Sequence, residues 1–167
     1  EFETSHGNFK INLHDETTPV TVTNFLSYVN DGSYNDTIVH RNAYTQTGEN
    51  FVIQGGGFRF NGDLEAIETR PTIMNEPLYS NVVGTISMAK GSNVNSATSQ
   101  WFINLQDNSF LDSTDNGAFT VFGEVIEGYD ILEKMSQVEV GYSDELGYPT
   151  VPKKMVTIIR VVILDEE

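Results

Sequence analysis

The sequence predicts a mainly β domain with two helices, its strands running antiparallel as either a barrel or a sandwich. Three observations carry this prediction: apolar runs too short for helices recur along the chain, turn clusters separate them, and only two segments repeat with helical spacing. Residues 8–13 alternate, with Phe9, Ile11 and Leu13 on one side and Lys10 and Asn12 on the other, as a half-buried strand requires. Thr18-Pro19 then offers an N-cap followed by a proline at the first helical position. Val22, Phe25, Leu26 and Val29 recur at i, i+3, i+4 and i+7 before Gly32 ends the helix. A second helix is predicted over residues 129–138, where Ile131, Leu132, Met135 and Val138 share one face behind Gly128.

The remaining apolar runs read as strands at residues 51–55, 85–89, 101–105, 119–126 and 156–164. Asn30-Asp31-Gly32, Asn61-Gly62-Asp63, Lys90-Gly91-Ser92-Asn93 and Asp115-Asn116-Gly117 supply the turns between elements. A closed barrel would remove the exposed sheet edges, with helices over its open ends, but a sandwich satisfies the same pattern.

The chain has 167 residues, the size of one domain, and a single domain spanning residues 1–167 is expected. Cysteine is absent, which excludes thiol catalysis, zinc-thiolate sites and disulfide frameworks. Nine Lys and Arg against twenty-four Asp and Glu give a net charge of -15, a field that repels phosphate backbones and anionic lipid, so neither nucleic acid nor membrane is expected as a partner. No stretch approaches the roughly 18 apolar residues of a membrane-spanning helix. The chain opens on Glu1 rather than methionine, and with the lack of cysteine this leads us to expect a trimmed upstream segment and a periplasmic or secreted location.

Candidate chemistry narrows quickly. His6, His14 and His40 show no metal-ligand spacing, so no metal is expected, and no cofactor. Gly55-Gly56-Gly57 follows a strand without opening a helix and lacks both phosphate-loop signatures; it reads as a tight corner where backbones approach closely. No serine stands in a nucleophile elbow. What remains is a concentration of aromatic and amide residues around one arginine, Arg41, which suits a pocket for an apolar, uncharged group.

Taken together, several segments occur in a telling order: Ile38-Val39-His40-Arg41, Asn50-Phe51-Val52-Ile53-Gln54-Gly55-Gly56-Gly57-Phe58 and Gly84-Thr85-Ile86-Ser87-Met88-Ala89. They are followed by Ser99-Gln100-Trp101-Phe102-Ile103-Asn104, Phe110-Leu111-Asp112 and Phe119-Thr120-Val121-Phe122-Gly123-Glu124-Val125. This series resembles the cyclophilin family, closest to its bacterial branch, over nearly the whole chain. The resemblance implies a closed eight-stranded antiparallel barrel capped by two helices, and peptidyl-prolyl cis/trans isomerase activity that assists protein folding. It assigns catalysis to Arg41, with Gln54 and Phe51 in support. It assigns substrate binding to Val52, Ala89, Lys90, Gln100, Phe102, Phe110, Leu111 and Phe119. The implied partners are proline-containing peptides and unfolded or folding proteins, met by a monomer. A proline-peptide binding module or chaperone with weak catalysis is the alternative.

The sequence also departs from the family pattern. Val39 and Val52 stand where Phe and Met are usual, which implies a slightly roomier pocket. Phe110 and Phe119 stand where many eukaryotic members carry Trp and His, so binding of cyclosporin-like macrocycles is expected to be weakened. Ten positions separate Arg41 from Phe51 where five are usual, and the extra length, within residues 42–50, is expected to bulge as a surface loop.

Overall fold

The computed structural model describes residues 1–164. The elements run β1 (Phe2–Thr4), β2 (Gly7–Leu13), α1 (Pro19–Asn30), β3 (Thr37–Ile38), β4 (Arg41–Tyr44), β5 (Asn50–Gly55), β6 (Phe58–Phe60) and β7 (Leu64–Ala66). They continue with β8 (Thr85–Met88), β9 (Trp101–Asn104), a single 3-10 turn (Ser109–Asp112), β10 (Val121–Glu127), α2 (Tyr129–Ser136), β11 (Val140–Ser143), β12 (Tyr148–Pro152) and β13 (Thr157–Val161). Eleven strands form one curled antiparallel sheet in the order β4-β5-β9-β8-β10-β2-β1-β13-β3-β6-β7, and β11 with β12 forms a separate hairpin.

The mainly β character and the two α-helices match the sequence reading, whereas the strand count exceeds the expected eight for a local reason. Only Val39 and His40 separate β3 from β4, and only Gly56 and Gly57 separate β5 from β6, so two long staves are each divided in two, and the short β7 adds one more strand by pairing with β6 alone. The ladder carries on through the first break, where Val39 N–H donates to the Val156 carbonyl at 2.8 Å and His40 N–H to the Gln54 carbonyl at 3.0 Å. At the second break Gly56 has φ +77°, and a Cβ there would lie 2.7 Å from the Ser99 carbonyl oxygen. Only glycine fits so close an approach in that conformation.

The core lies inside the curl. Phe2, Phe9, Phe25, Tyr28, Tyr34, Trp101 and Phe122 are fully buried and pack with Ile53, Ile86, Ile103, Met88 and Leu132. Each large side chain so buried contributes about 1.5–3 kcal/mol over leaving it in water. Helix α1 turns Val22, Phe25 and Val29 into this core, and α2 contributes Leu132 and Met135. The cap expected of Thr18 is not made: its hydroxyl donates instead to the His14 carbonyl. Glu76 supplies the cap from a distant loop, accepting from Val20 N–H at 3.2 Å and Thr21 N–H at 2.8 Å. A carboxylate there satisfies orphan donors and meets the positive end of the helix dipole.

The segment at residues 42–50 is another correction. It does not bulge as a loop but lengthens β4 and β5 into a hairpin, turned at residues 45–49 by a bond from Thr45 N–H to the Glu49 carbonyl at 2.7 Å. The added length covers the end of α2. Asn42 donates to the Met135 carbonyl at 3.0 Å, and Asn50 and Tyr44 donate to the Ser136 carbonyl at 2.8 and 3.2 Å, satisfying carbonyls the helix leaves open.

Candidate active site

Strand alternation places Arg41, Val52, Gln54 and Phe102 on the outer face of the sheet, and the remaining candidates come from a position of other parity or from the segments between strands. In the ladder Arg41 lies opposite Gln54, Gln54 opposite Phe102, and Phe102 opposite Ser87, so these four form one cross-strand row. One step along, on the same face, Ala43 lies opposite Val52. Ala43, Val52 and Phe102 are buried together, with Phe51, Ala89, Leu111 and Phe119 packed against them. This apolar cluster is distinct from the barrel core. It is built from residues that cross-strand pairing, rather than sequence adjacency, brings into contact.

Arg41 borders the cluster at its polar end. Its guanidinium donates to Gln54 Oε1 at 3.4 Å, and Gln54 Nε2 donates onward to Gln100 Oε1 at 2.8 Å. An amide relay thus reaches the guanidinium. Arg41 lines a cavity of about 480 Å³ with His40, Gln54, Phe58 and Gln100, together with Glu145 and Leu146 from the turn between β11 and β12. His40 is buried and meets the Phe58 ring edge-on at 4.9 Å between centroids. Burial drives its pKa down to about 4; contact with Gln100 opposes the shift, the Arg41 charge reinforces it, and the Ile38 backbone opposes it. The imidazole beside Arg41 is therefore neutral at physiological pH.

Further from the centre, the Phe102 and Phe119 rings pack edge to face at 5.6 Å. Lys90 Nζ lies 4.5 Å from the centroid of Phe119 and donates to the Asn116 carbonyl at 2.7 Å; desolvation pulls its pKa below the ordinary lysine value. Phe110 is not part of the cluster: it is 58 % exposed and leans on Phe51 from the rim at 6.2 Å.

Behind the apolar wall lies a buried amide network that the sequence reading did not single out. Asn108 Nδ2 donates to the Phe51 carbonyl at 2.9 Å and to Asn104 Oδ1 at 2.8 Å, while Asn104 Nδ2 donates to Thr85 Oγ1 at 2.9 Å. Ser87 donates to Asn81 Oδ1 at 2.7 Å, and Asn81 Nδ2 donates to Asp112 Oδ1 at 2.8 Å and to the Phe119 carbonyl at 3.3 Å. Burial pushes the Asp112 carboxyl up, but hydrogen bonds from Ser80 and Asn81 outweigh it and hold the pKa below the ordinary value. The network fixes the backbone that carries Phe51 and Phe119. Its only advance signal was the density of Asn in segments otherwise read as strand and turn. Ala43, Phe58, Glu145 and Leu146 were likewise absent from the sequence-based set.

Comparison with known proteins agrees with this architecture. The family model of the cyclophilin type peptidyl-prolyl cis-trans isomerase/CLD family matches residues 1–163. The chain belongs to this family. It is 43 % identical over 159 residues to peptidyl-prolyl cis-trans isomerase A of Dickeya dadantii, covering 93 % of this chain and 78 % of that one. To peptidyl-prolyl cis-trans isomerase B of Escherichia coli it is 39 % identical over 168 residues, with 97 % of each chain covered. A crystal structure of a Cryptosporidium parvum cyclophilin type isomerase, obtained in the presence of the dipeptide Ala-Pro, superposes with a TM-score of 0.73 at 25 % identity over 99 % of this chain and 98 % of that one. The protein is accordingly a peptidyl-prolyl cis-trans isomerase, and its similarity to bacterial members agrees with the branch read from the motifs.

Proposed function

We propose that Arg41 is the catalytic residue, acting on a proline ring seated among Phe51, Val52, Phe102 and Leu111, with Phe119 and Ala89 completing the wall. The observation that carries this reading is the row Arg41, Gln54, Phe102, which sets a guanidinium at the edge of an apolar cluster. Gln54 orients the guanidinium, and Gln100, the backbone of Lys90 and Phe110 border the groove for the flanking peptide. The Cryptosporidium relative was crystallised with Ala-Pro; proline-containing peptides and unfolded proteins are the corresponding substrates here, and residues 1–167 act as one domain.

The chemistry follows from the amide. Resonance gives the prolyl C–N bond a rotation barrier of roughly 18–20 kcal/mol, with uncatalysed exchange in tens to hundreds of seconds. In the twisted state the nitrogen regains its lone pair and can accept a hydrogen bond, which the planar amide nitrogen cannot. A guanidinium placed there binds the transition state selectively. Raising a rate of about 10⁻² per second to about 10³ requires about 7 kcal/mol. One charged hydrogen bond supplies about 1.5–3 kcal/mol, so the rest must come from gripping the ring and from the low dielectric of the cluster.

The test is cis/trans exchange of a short proline peptide followed by NMR. Arg41→Ala should lower the catalysed rate about a hundredfold while saturable peptide binding persists. An unchanged rate would remove Arg41 from the mechanism. Because His40 stays neutral in this range, the wild-type rate should be flat between about pH 6.5 and 8.

A further inference from the structure

Among the described residues, two of those lining the Arg41 cavity come from neither the barrel nor its helices. They are Glu145 and Leu146, at the tip of the β11–β12 hairpin. The hairpin is fixed by packing of β12 along β4, the strand that carries Arg41. Its tip is a closed turn, in which Gly147 N–H donates to the Ser143 carbonyl at 2.8 Å and Leu146 N–H to Ser143 Oγ at 3.2 Å. Glu145 is solvent-exposed, and among the described residues it takes part in no ion pair.

We propose that Glu145 sets the substrate preference of this isomerase, favouring proline peptides that carry Lys or Arg beside the proline on the side facing Arg41. The inference rests on the site reading above, because the cavity receives the flanking residue only when the proline occupies the adjoining apolar cluster. Within the cavity the fixed charge of Arg41 would by itself favour an acidic neighbour. In the site reading above Arg41 is committed to the proline nitrogen, and Glu145, exposed on the hairpin that lines the same cavity, meets the flanking side chain with the opposite sign: it attracts a basic side chain and repels an acidic one, while Gln54 and Gln100 are neutral and take no side. Leu146 gives the aliphatic stem of a Lys or Arg an apolar surface, leaving the charged head near the carboxylate. An exposed pair of this kind changes an equilibrium by up to about fivefold, and less in high salt. The net charge of -15 also draws basic peptides, but that pull is spread over the whole surface and any one acidic residue contributes little to it.

The test uses three peptides identical except that the residues flanking a single proline are Lys, Ala or Glu, with exchange measured by NMR at low ionic strength. Wild type should exchange the Lys peptide at least about threefold faster than the Glu peptide. Glu145→Gln should lower that ratio about threefold, and Glu145→Lys should invert it. Glu16→Gln, which removes the same charge from the turn before α1, should leave the ratio as in wild type. A ratio unmoved by Glu145→Gln, or lowered as much by Glu16→Gln, overturns the proposal. Arg41→Ala on the Ala peptide separates the two readings: undiminished exchange there overturns the site assignment and this inference with it, whereas lost exchange with a ratio indifferent to Glu145 overturns this inference alone.

Discussion

Ile53, Ile103 and Ile86 lie opposite one another in one cross-strand row; Gln54, Phe102 and Ser87 form the next, one residue away along the same three strands. The first row is fully buried in the barrel core. The second lines the site, where burial is graded from Ser87, fully covered, to Gln54, half open. The two faces share backbone, strand twist and register, yet they ask different things of their residues. The inner face needs apolar volume, which many side chains can supply. The outer face needs particular groups at particular heights, a guanidinium beside an amide beside a phenyl ring.

Truncation on each face should separate these demands, and it gives the largest effect expected. Ile103→Ala removes volume from a site that cannot collapse, and should cost about 4 kcal/mol of stability by denaturant titration. Exchange per folded molecule should stay within about threefold of wild type. Phe102→Ala empties the smaller apolar cluster, where Phe102 is also buried; it should cost about 3 kcal/mol of stability and lower exchange by tenfold or more. If both variants lost stability and activity in the same proportion, the functional division between the faces would collapse.

His40 sharpens the comparison through pH, because it precedes Arg41 at the break between β3 and β4. An unfolded imidazole protonates near 6.5 and the buried one near 4, so between these values the unfolded chain binds more protons. The stability owed to keeping His40 neutral is present in full above pH 6.5. It is lost as pH falls toward 4, by up to about 3 kcal/mol. Acidic groups with lowered pKa, Asp112 among them, lose stability in the same direction but over a lower range. His40→Gln should therefore flatten the stability profile between pH 4 and 6.5 relative to wild type. Parallel profiles for the two proteins would show that burial of this imidazole does not govern the slope.

The inner face was the more legible in the sequence. Val22, Phe25, Leu26 and Val29 announce α1 by spacing alone, and the apolar runs at residues 51–55, 85–89 and 101–105 announce β5, β8 and β9, because burial acts on every residue of a face and so leaves a period. The outer face leaves none. Its roles were read from motif order, and the pieces lacking either signal were missed. Phe2–Thr4 is too short for alternation to register. The β11–β12 hairpin mixes Gly, Ser, Pro and Tyr without a period, and its placement against β4 is a long-range event. Glu76 caps α1 from 55 residues away, so no local pattern could prefer it to Thr18. Asn81, Asn104 and Asn108 look like surface residues until the fold buries them together.

That buried amide network offers the last and smallest of the tests. Asn104 points to the outer side of β9, two residues from Phe102, but is fully covered. Asn104→Leu keeps roughly the volume and deletes both hydrogen-bonding functions. The neighbours are not stranded: Asn108 keeps the Phe51 carbonyl, Thr85 still donates to the Val82 carbonyl at 2.7 Å, and Asn81 Oδ1 still accepts from Ser87. The cost should therefore be about 2 kcal/mol, below that of a network left unsatisfied. Asn108, however, loses the group that holds its amide against the Phe51 carbonyl, so Phe51 should move within the wall and exchange should fall about threefold. A stability loss of that size with exchange untouched would mean that the network supports the fold and leaves the site's geometry to the strands alone.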